Sequence, residues 1–144
     1  MLPIVGLNWS AIFVAAVVAL IIGGFWYSPA LFGNAWMKSM GWKKEDIAKS
    51  MKKMNAMVMA SMYLKMFVTS AITAFVLSIL IHIFSVTSLT DASELALLVW
   101  LGFVAAYRVG DVVFEGKNFN YYMINTMQVF VSLLVMSWII SAWF

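Results

Sequence analysis

Four apolar stretches, each long enough to cross a bilayer as a helix, occupy most of this 144-residue chain. Crossing ~30 Å of hydrocarbon takes about 20 residues at 1.5 Å per residue. Residues 7–27 and 121–144 contain no charged side chain, 57–84 include Lys65 and His82, and 95–114 include Arg108 and Asp111. Hydrophobic residues make up 65% of the chain and charged ones 10%, against about 45–50% and about 25% in a soluble domain. A soluble core cannot hide that much apolar surface. In lipid the backbone must satisfy its own hydrogen bonds within each segment, which selects helices. The expected fold is therefore all-α: one transmembrane domain over 1–144, a four-transmembrane-helix bundle of an integral membrane protein.

Charge placement sets the expected topology. The net charge of +3 reflects lysines gathered in one segment, so it argues for orientation and against nucleic-acid binding. Loop 28–56 holds Lys38, Lys43, Lys44, Lys49, Lys52 and Lys53 against Glu45 and Asp46. The connection 85–94 has Asp91 and Glu94 and no base, while 115–120 holds Lys117. The positive-inside rule puts 28–56 and 115–120 in the cytoplasm and both termini outside, in a plasma or inner membrane. The opening residues lack a basic segment, so 7–27 reads as a retained span and not a cleaved signal. Ile47, Met51, Met54 and Val58 recur at helical spacing and read as an interfacial helix leading into the second span. Lys43, Lys44, Lys49, Lys52 and Lys53 would then meet anionic lipid headgroups.

Apolar helices gain nothing hydrophobic by associating in lipid, so small residues that allow close approach mark contact faces. Span one offers Ala11, Ala15, Ala19 and Gly23; span two Ser70, Ala74 and Ser78; span three Gly102, Ala106 and Gly110. These stripes serve packing within the chain or between copies.

Two strings of residues carry a resemblance. One is Asn8-Trp9, Gly24-Phe25-Trp26-Tyr27-Ser28-Pro29, Leu31-Phe32-Gly33, Ala35-Trp36-Met37 and Met40-Gly41. The other is Trp100-Leu101-Gly102-Phe103-Val104, Phe114-Glu115-Gly116-Lys117, Ile124-Asn125 and Ser132-Leu133-Leu134-Val135-Met136. Together they resemble the DUF1761 family of small multi-span membrane proteins over essentially the whole chain. The WYSP…LFG…WM string is the most specific part. The resemblance implies the four-span fold and brings no substrate, cofactor or catalytic residue, because the family's function is unknown.

Polar residues inside the spans are the candidate functional positions. Arg108, Asp111 and Glu115 share one face of span three; Asn125, Gln128 and Ser132 share one face of span four; Ser61, Lys65, Thr69 and Thr73 follow each other on span two. The topology places these sets at similar depth in the cytoplasmic half. The candidate intramembrane polar site is Lys65, Thr69, Arg108, Asp111, Glu115, Asn125 and Gln128, formed if the three faces converge. The competing reading pairs Arg108 with Asp111 structurally and lets Lys65 snorkel to the headgroups.

Twelve methionines, bunched at Met51, Met54, Met57, Met59, Met62 and Met66, raise the question of thioether copper ligation. With no cysteine and one histidine they read as flexible apolar filler, and neither a metal site nor a cofactor is assigned. Absence of cysteine excludes disulfides and thiol catalysis. No phosphate loop, H-E-x-x-H or G-x-S-x-G motif occurs, so no catalytic residue is assigned and an enzyme is the less favoured reading.

The first functional expectation is a homo-oligomeric channel or transporter-like protein for a small solute, ion or proton. The second is an accessory or assembly subunit of a larger membrane complex, docking through its small-residue stripes and Trp100. A membrane-embedded lipid-handling enzyme ranks third. Expected partners are the bilayer, with its anionic headgroups, and further copies or subunits.

Overall fold

The computed structural model describes residues 6–143. All of its regular structure is helical, and four helices are long and apolar enough to cross a membrane: Trp9–Trp26, Ala56–Ile83, Leu89–Val113 and Phe119–Ala142.

Helix α1 spans Trp9–Trp26. It starts where the Asn8 side chain accepts the Ala11 N–H at 3.1 Å, satisfying one of the free donors of a first turn. It stops before Ser28-Pro29, because proline disfavours helical geometry in the residue ahead of it. The chain then reverses tightly. The Gly33 N–H donates to the Ser28 carbonyl at 3.0 Å and the Phe32 N–H to the Trp26 carbonyl at 3.0 Å. A Cβ at Gly33 would run into the Tyr27 and Ser28 carbonyls, so this turn requires glycine. Rings pack over it: Trp26 on Phe32, Tyr27 on Trp36, and Trp36 on Trp42, with centroids 4.5, 5.4 and 5.4 Å apart. The WYSP…LFG…WM string is thus a structural corner.

Two short helices follow, α2 (Gly33–Ser39) and α3 (Lys44–Lys53). A helix is present at the expected position as α3, but it ends at Met54, where the backbone is extended (φ −80°, ψ 122°). Asn55 then caps α4 (Ala56–Ile83) by accepting the Val58 N–H at 2.9 Å. The third long helix begins at Leu89, earlier than hydropathy alone indicates, because the Ser88 hydroxyl caps it through the Asp91 N–H. It comprises α5 (Leu89–Trp100), a π-helical turn (Leu101–Ala105) and α6 (Ala106–Val113). The last helix, α7 (Phe119–Ala142), closes the bundle.

Helix α7 is the hub: it packs on α1, α4, α5, α6 and α2, while α4 rests chiefly on α1 and makes no substantial contact with α5 or α6. Ala11, Ala15 and Ala19 of α1 are buried, as are Ala74 and Ser78 of α4, so these small stripes do set close packing. Trp9 on Phe75 (5.9 Å) and Phe13 on Phe67 (5.7 Å) lock α1 to α4. The stripe on the third span behaves differently. Gly102 and Ala106 face outward, and the buried alanines are Ala92, Ala96 and Ala105. At ~100° per residue, Ala96 and Ala105 would lie on opposite faces of an uninterrupted α-helix. The wider π turn rotates the later part of the span so that both reach the core.

Substituting Gly33→Ala is expected to cost about 2 kcal/mol or more, since the atoms in its way are backbone and cannot swing aside. Gly102→Ala, with nothing within 4 Å of the added Cβ, should be neutral or stabilising by up to ~1 kcal/mol. Thermal unfolding in detergent, followed by circular dichroism, reads both; a Gly33→Ala protein melting with the parent would refute this account of the corner.

Candidate functional site

The polar residues singled out from sequence divide into two neighbouring places and two outliers. At the end of the bundle carrying the lysines, the Arg108 Nε donates to Asp111 Oδ2 at 3.0 Å, one turn apart on α6, and this is the one ion pair among the described residues. Across from it, the Tyr27 hydroxyl donates to Asn125 Oδ1 at 2.7 Å, and the Asn125 amide donates to the Tyr121 carbonyl at 2.7 Å. Lys117 sits 5.7 Å from the Tyr121 ring centroid. Lys65 and Glu115 are exposed, and neither joins this network. The three polar faces therefore do not converge on one site: α4, which carries Lys65 and Thr69, stands away from α6.

The same turns of α7 also take part in side chain to backbone bonds. The Trp26 indole donates to the Ile124 carbonyl (3.0 Å) and the Trp100 indole to the Thr126 carbonyl (2.7 Å). The Tyr122 hydroxyl donates to the Ala105 carbonyl at the end of the π turn (2.9 Å). Trp100 also packs on Phe130, at 5.1 Å between ring centroids. Its indole is thus engaged within the chain on both its N–H and its ring.

Thr69 and Gln128 belong to the second place, a half-open cavity of about 560 Å³ walled by α1, α4 and α7, with Met51 and Met54 of α3 and its C-cap at one end. Its origin is the departure of α4 from α7. Between Ala56 and Thr73 no α4 residue is buried; burial begins at Ala74. Helix α1 contributes Ala19, Leu20, Gly23, Gly24 and Tyr27, small enough at the glycines to leave space. Six methionines form much of the wall: Met51 and Met54 from α3 and its C-cap, Met59, Met62 and Met66 from α4, and Met136 from α7. Polar atoms come from Thr69, Ser70 and Thr73 on one side and from Gln128 and Ser132 on the other, where the Gln128 Nε2 donates to Ser132 Oγ at 2.9 Å. No Asp, Glu, Lys or Arg lines the cavity. Tyr27 touches both places, as a wall of the cavity and as the partner of Asn125.

The methionine bunching was visible in the sequence, but the cavity was not. Met59, Met62, Met66, Ser70 and Thr73 share one helical face, which was the available signal; Met136 and the α1 glycines carried none. Lys43, Lys44, Lys49, Lys52 and Lys53 are all exposed on or beside α3. Among the described residues no cluster of His, Cys, Asp or Glu capable of holding a metal ion occurs.

These features define a class: a small all-helical protein with four helices fit to cross a membrane, a half-open, largely apolar cavity and, among the described residues, one ion pair. Within it, the chain belongs to DUF1761, "Protein of unknown function (DUF1761)", whose family profile matches residues 10–141. No curated protein and no solved structure matches the chain.

The Arg108–Asp111 pair is a quarter to a third exposed (32% and 25%), so its coupling is expected to be about 0.5–1 kcal/mol. Arg108→Leu and Asp111→Leu should each lower the melting temperature, and the double substitution should recover part of the sum. Strict additivity in a double-mutant cycle would show that the two charges act independently.

Proposed function

We propose that this chain is an integral membrane protein that binds an apolar or amphipathic small molecule taken up from the lipid phase, a carrier and not an ion pore. The observation that carries the proposal is the methionine-walled cavity of about 560 Å³ between α1, α4 and α7. That volume lies in the ~300–1,000 Å³ range of small-molecule sites, which are largely apolar with a few placed polar groups. Methionine suits such a wall: its unbranched, polarisable side chain adapts to ligands of differing shape. The entrance lies where the first half of α4 leaves α7, on a flank that faces lipid when the four helices span the bilayer.

A continuous ion path along the bundle axis has less support, since α7 occupies the centre and its Asn125, Thr126 and Gln128 side chains are bonded within the helix. In the proposed topology the lysine-bearing end, with α2 and α3, lies in the cytoplasm and the termini lie outside. The basic face of α3 then rests on anionic headgroups while Met51 and Met54 cover the cavity mouth. A second reading, association with further copies or with a membrane complex, is favoured by the outward Gly102 and Ala106, which permit close approach of another helix.

The purified protein in nanodiscs, exposed to an apolar diazirine photoprobe, should be labelled saturably on Met59, Met62, Met66 or Met136. Ser70→Trp, which fills the cavity, should reduce labelling at least about tenfold, whereas Ile72→Trp, on the outward side of α4 at 59% exposure, should leave it unchanged. Labelling that neither saturates nor distinguishes these two variants would end the carrier proposal.

A further inference from the structure

The chemistry of the cavity wall narrows the class of ligand. No ionisable carboxylate, ammonium or guanidinium lines it; the cations and anions of the spans lie elsewhere, with Arg108 neutralised by Asp111 on α6 and Lys65 turned outward. Yet the wall is not purely apolar. Gln128 lies about 13 Å and Ser132 about 20 Å along α7 from its first residue at 1.5 Å per residue, and Thr69, Ser70 and Thr73 are placed at comparable depth along α4. The polar atoms thus sit deep, while Met51 and Met54 hold the end nearest the lysines.

Their hydrogen-bonding capacity is only partly used. The Thr69 hydroxyl donates to the Met66 carbonyl (2.8 Å) and the Thr73 hydroxyl to the Thr69 carbonyl (3.1 Å), so each spends its proton on its own helix. The Gln128 amide donates once, to Ser132. A carboxamide has two N–H donors and an oxygen with two lone pairs, so one donor and the acceptor remain to serve a ligand. The amide is held in place between helices: a Cβ built on Gly23 of α1 would stand 3.5 Å from Gln128 Nε2. That is an ordinary contact distance, so the amide lies beside Gly23 on the cavity wall at the α1–α7 seam.

Resting on the carrier reading above, we infer that the ligand is an uncharged molecule with an apolar body and one hydroxyl or carbonyl group, and that Gln128, with Ser132, is the specificity-determining residue that receives it. An ionised headgroup would leave water for a site with no counter-charge, which is strongly disfavoured. A pure hydrocarbon would leave the amide facing an apolar surface with its remaining donor and acceptor unmet. A neutral alcohol or ketone meets both conditions.

Three matched diazirine probes of equal chain length, a hydrocarbon, its primary alcohol and its carboxylate, separate the possibilities in nanodiscs of neutral lipid. The alcohol should label the cavity methionines at about tenfold lower concentration than the hydrocarbon, and the carboxylate should be the weakest. Gln128→Leu should erase the difference between alcohol and hydrocarbon while hydrocarbon labelling persists; Ser132→Ala, a smaller change, should reduce that difference, and guards against a folding defect in Gln128→Leu. Equal labelling by alcohol and hydrocarbon in the parent, preference for the carboxylate, or a preference untouched by both variants would overturn the assignment while leaving the carrier reading intact. Absence of saturable labelling by all three probes would remove both.

Discussion

Two indole N–H groups donate into one helix. Trp26, at the end of α1, reaches the Ile124 carbonyl, and Trp100, at the end of α5, reaches the Thr126 carbonyl. In apolar surroundings an unpaired indole N–H is costly, so each bond fixes the height of its helix along α7. Sliding either helix by a residue would strand a donor. Tyr27 to Asn125 and Tyr122 to Ala105 repeat the constraint with hydroxyl groups. The result is a rigid three-part frame of α1, α5–α6 and α7.

Helix α4 stands outside that frame. Its threonines bond to their own backbone, and no hydrogen bond from its first half reaches another helix among the described residues. It is held by rings, Phe67 and Phe75 against Phe13 and Trp9, and by small residues near its far end. Its length compounds the difference. At 1.5 Å per residue the 28 residues of α4 extend ~42 Å and the 18 of α1 only ~27 Å. Two antiparallel helices so unequal cannot stay paired from end to end, and the first half of α4 contains no buried residue. The cavity lies along that loosely packed half, beside the last turns of α1 and the middle of α7, and flexible thioethers fill part of it.

How far the sequence spoke for itself follows from the same physics. The four long helices were legible because apolar length is a property of each segment alone: 7–27 became Trp9–Trp26, 57–84 became Ala56–Ile83, and 121–144 became Phe119–Ala142. Boundaries moved where a side chain caps, as Ser88 does, since a cap depends on one hydrogen bond and not on hydropathy. Arg108 with Asp111 was legible too, because spacing on one helix decides it. What failed to show was anything that depends on one helix meeting another. The π turn at Leu101–Ala105 re-aims the third span and has no signature in composition; it turned Gly102 and Ala106 outward although their spacing marks a contact face. Convergence of the polar faces of the second and third spans, one of the two readings, requires α4 and α6 to be neighbours, and α7 packs on both while they make no substantial contact with each other.

Separation of charge from cavity follows from that arrangement. A guanidinium in a span needs a partner at short range, and Asp111, one turn along the same helix, supplies it without help from any other helix. The ion pair is therefore complete within α6 and places no demand on α4. With no charge to neutralise, α4 is free to present hydroxyls and thioethers to α7, and the amide of Gln128 becomes the strongest polar group on that wall. A self-contained ion pair on α6 and an uncharged cavity walled by α1, α4 and α7 thus stand apart, because neither draws a residue from the other.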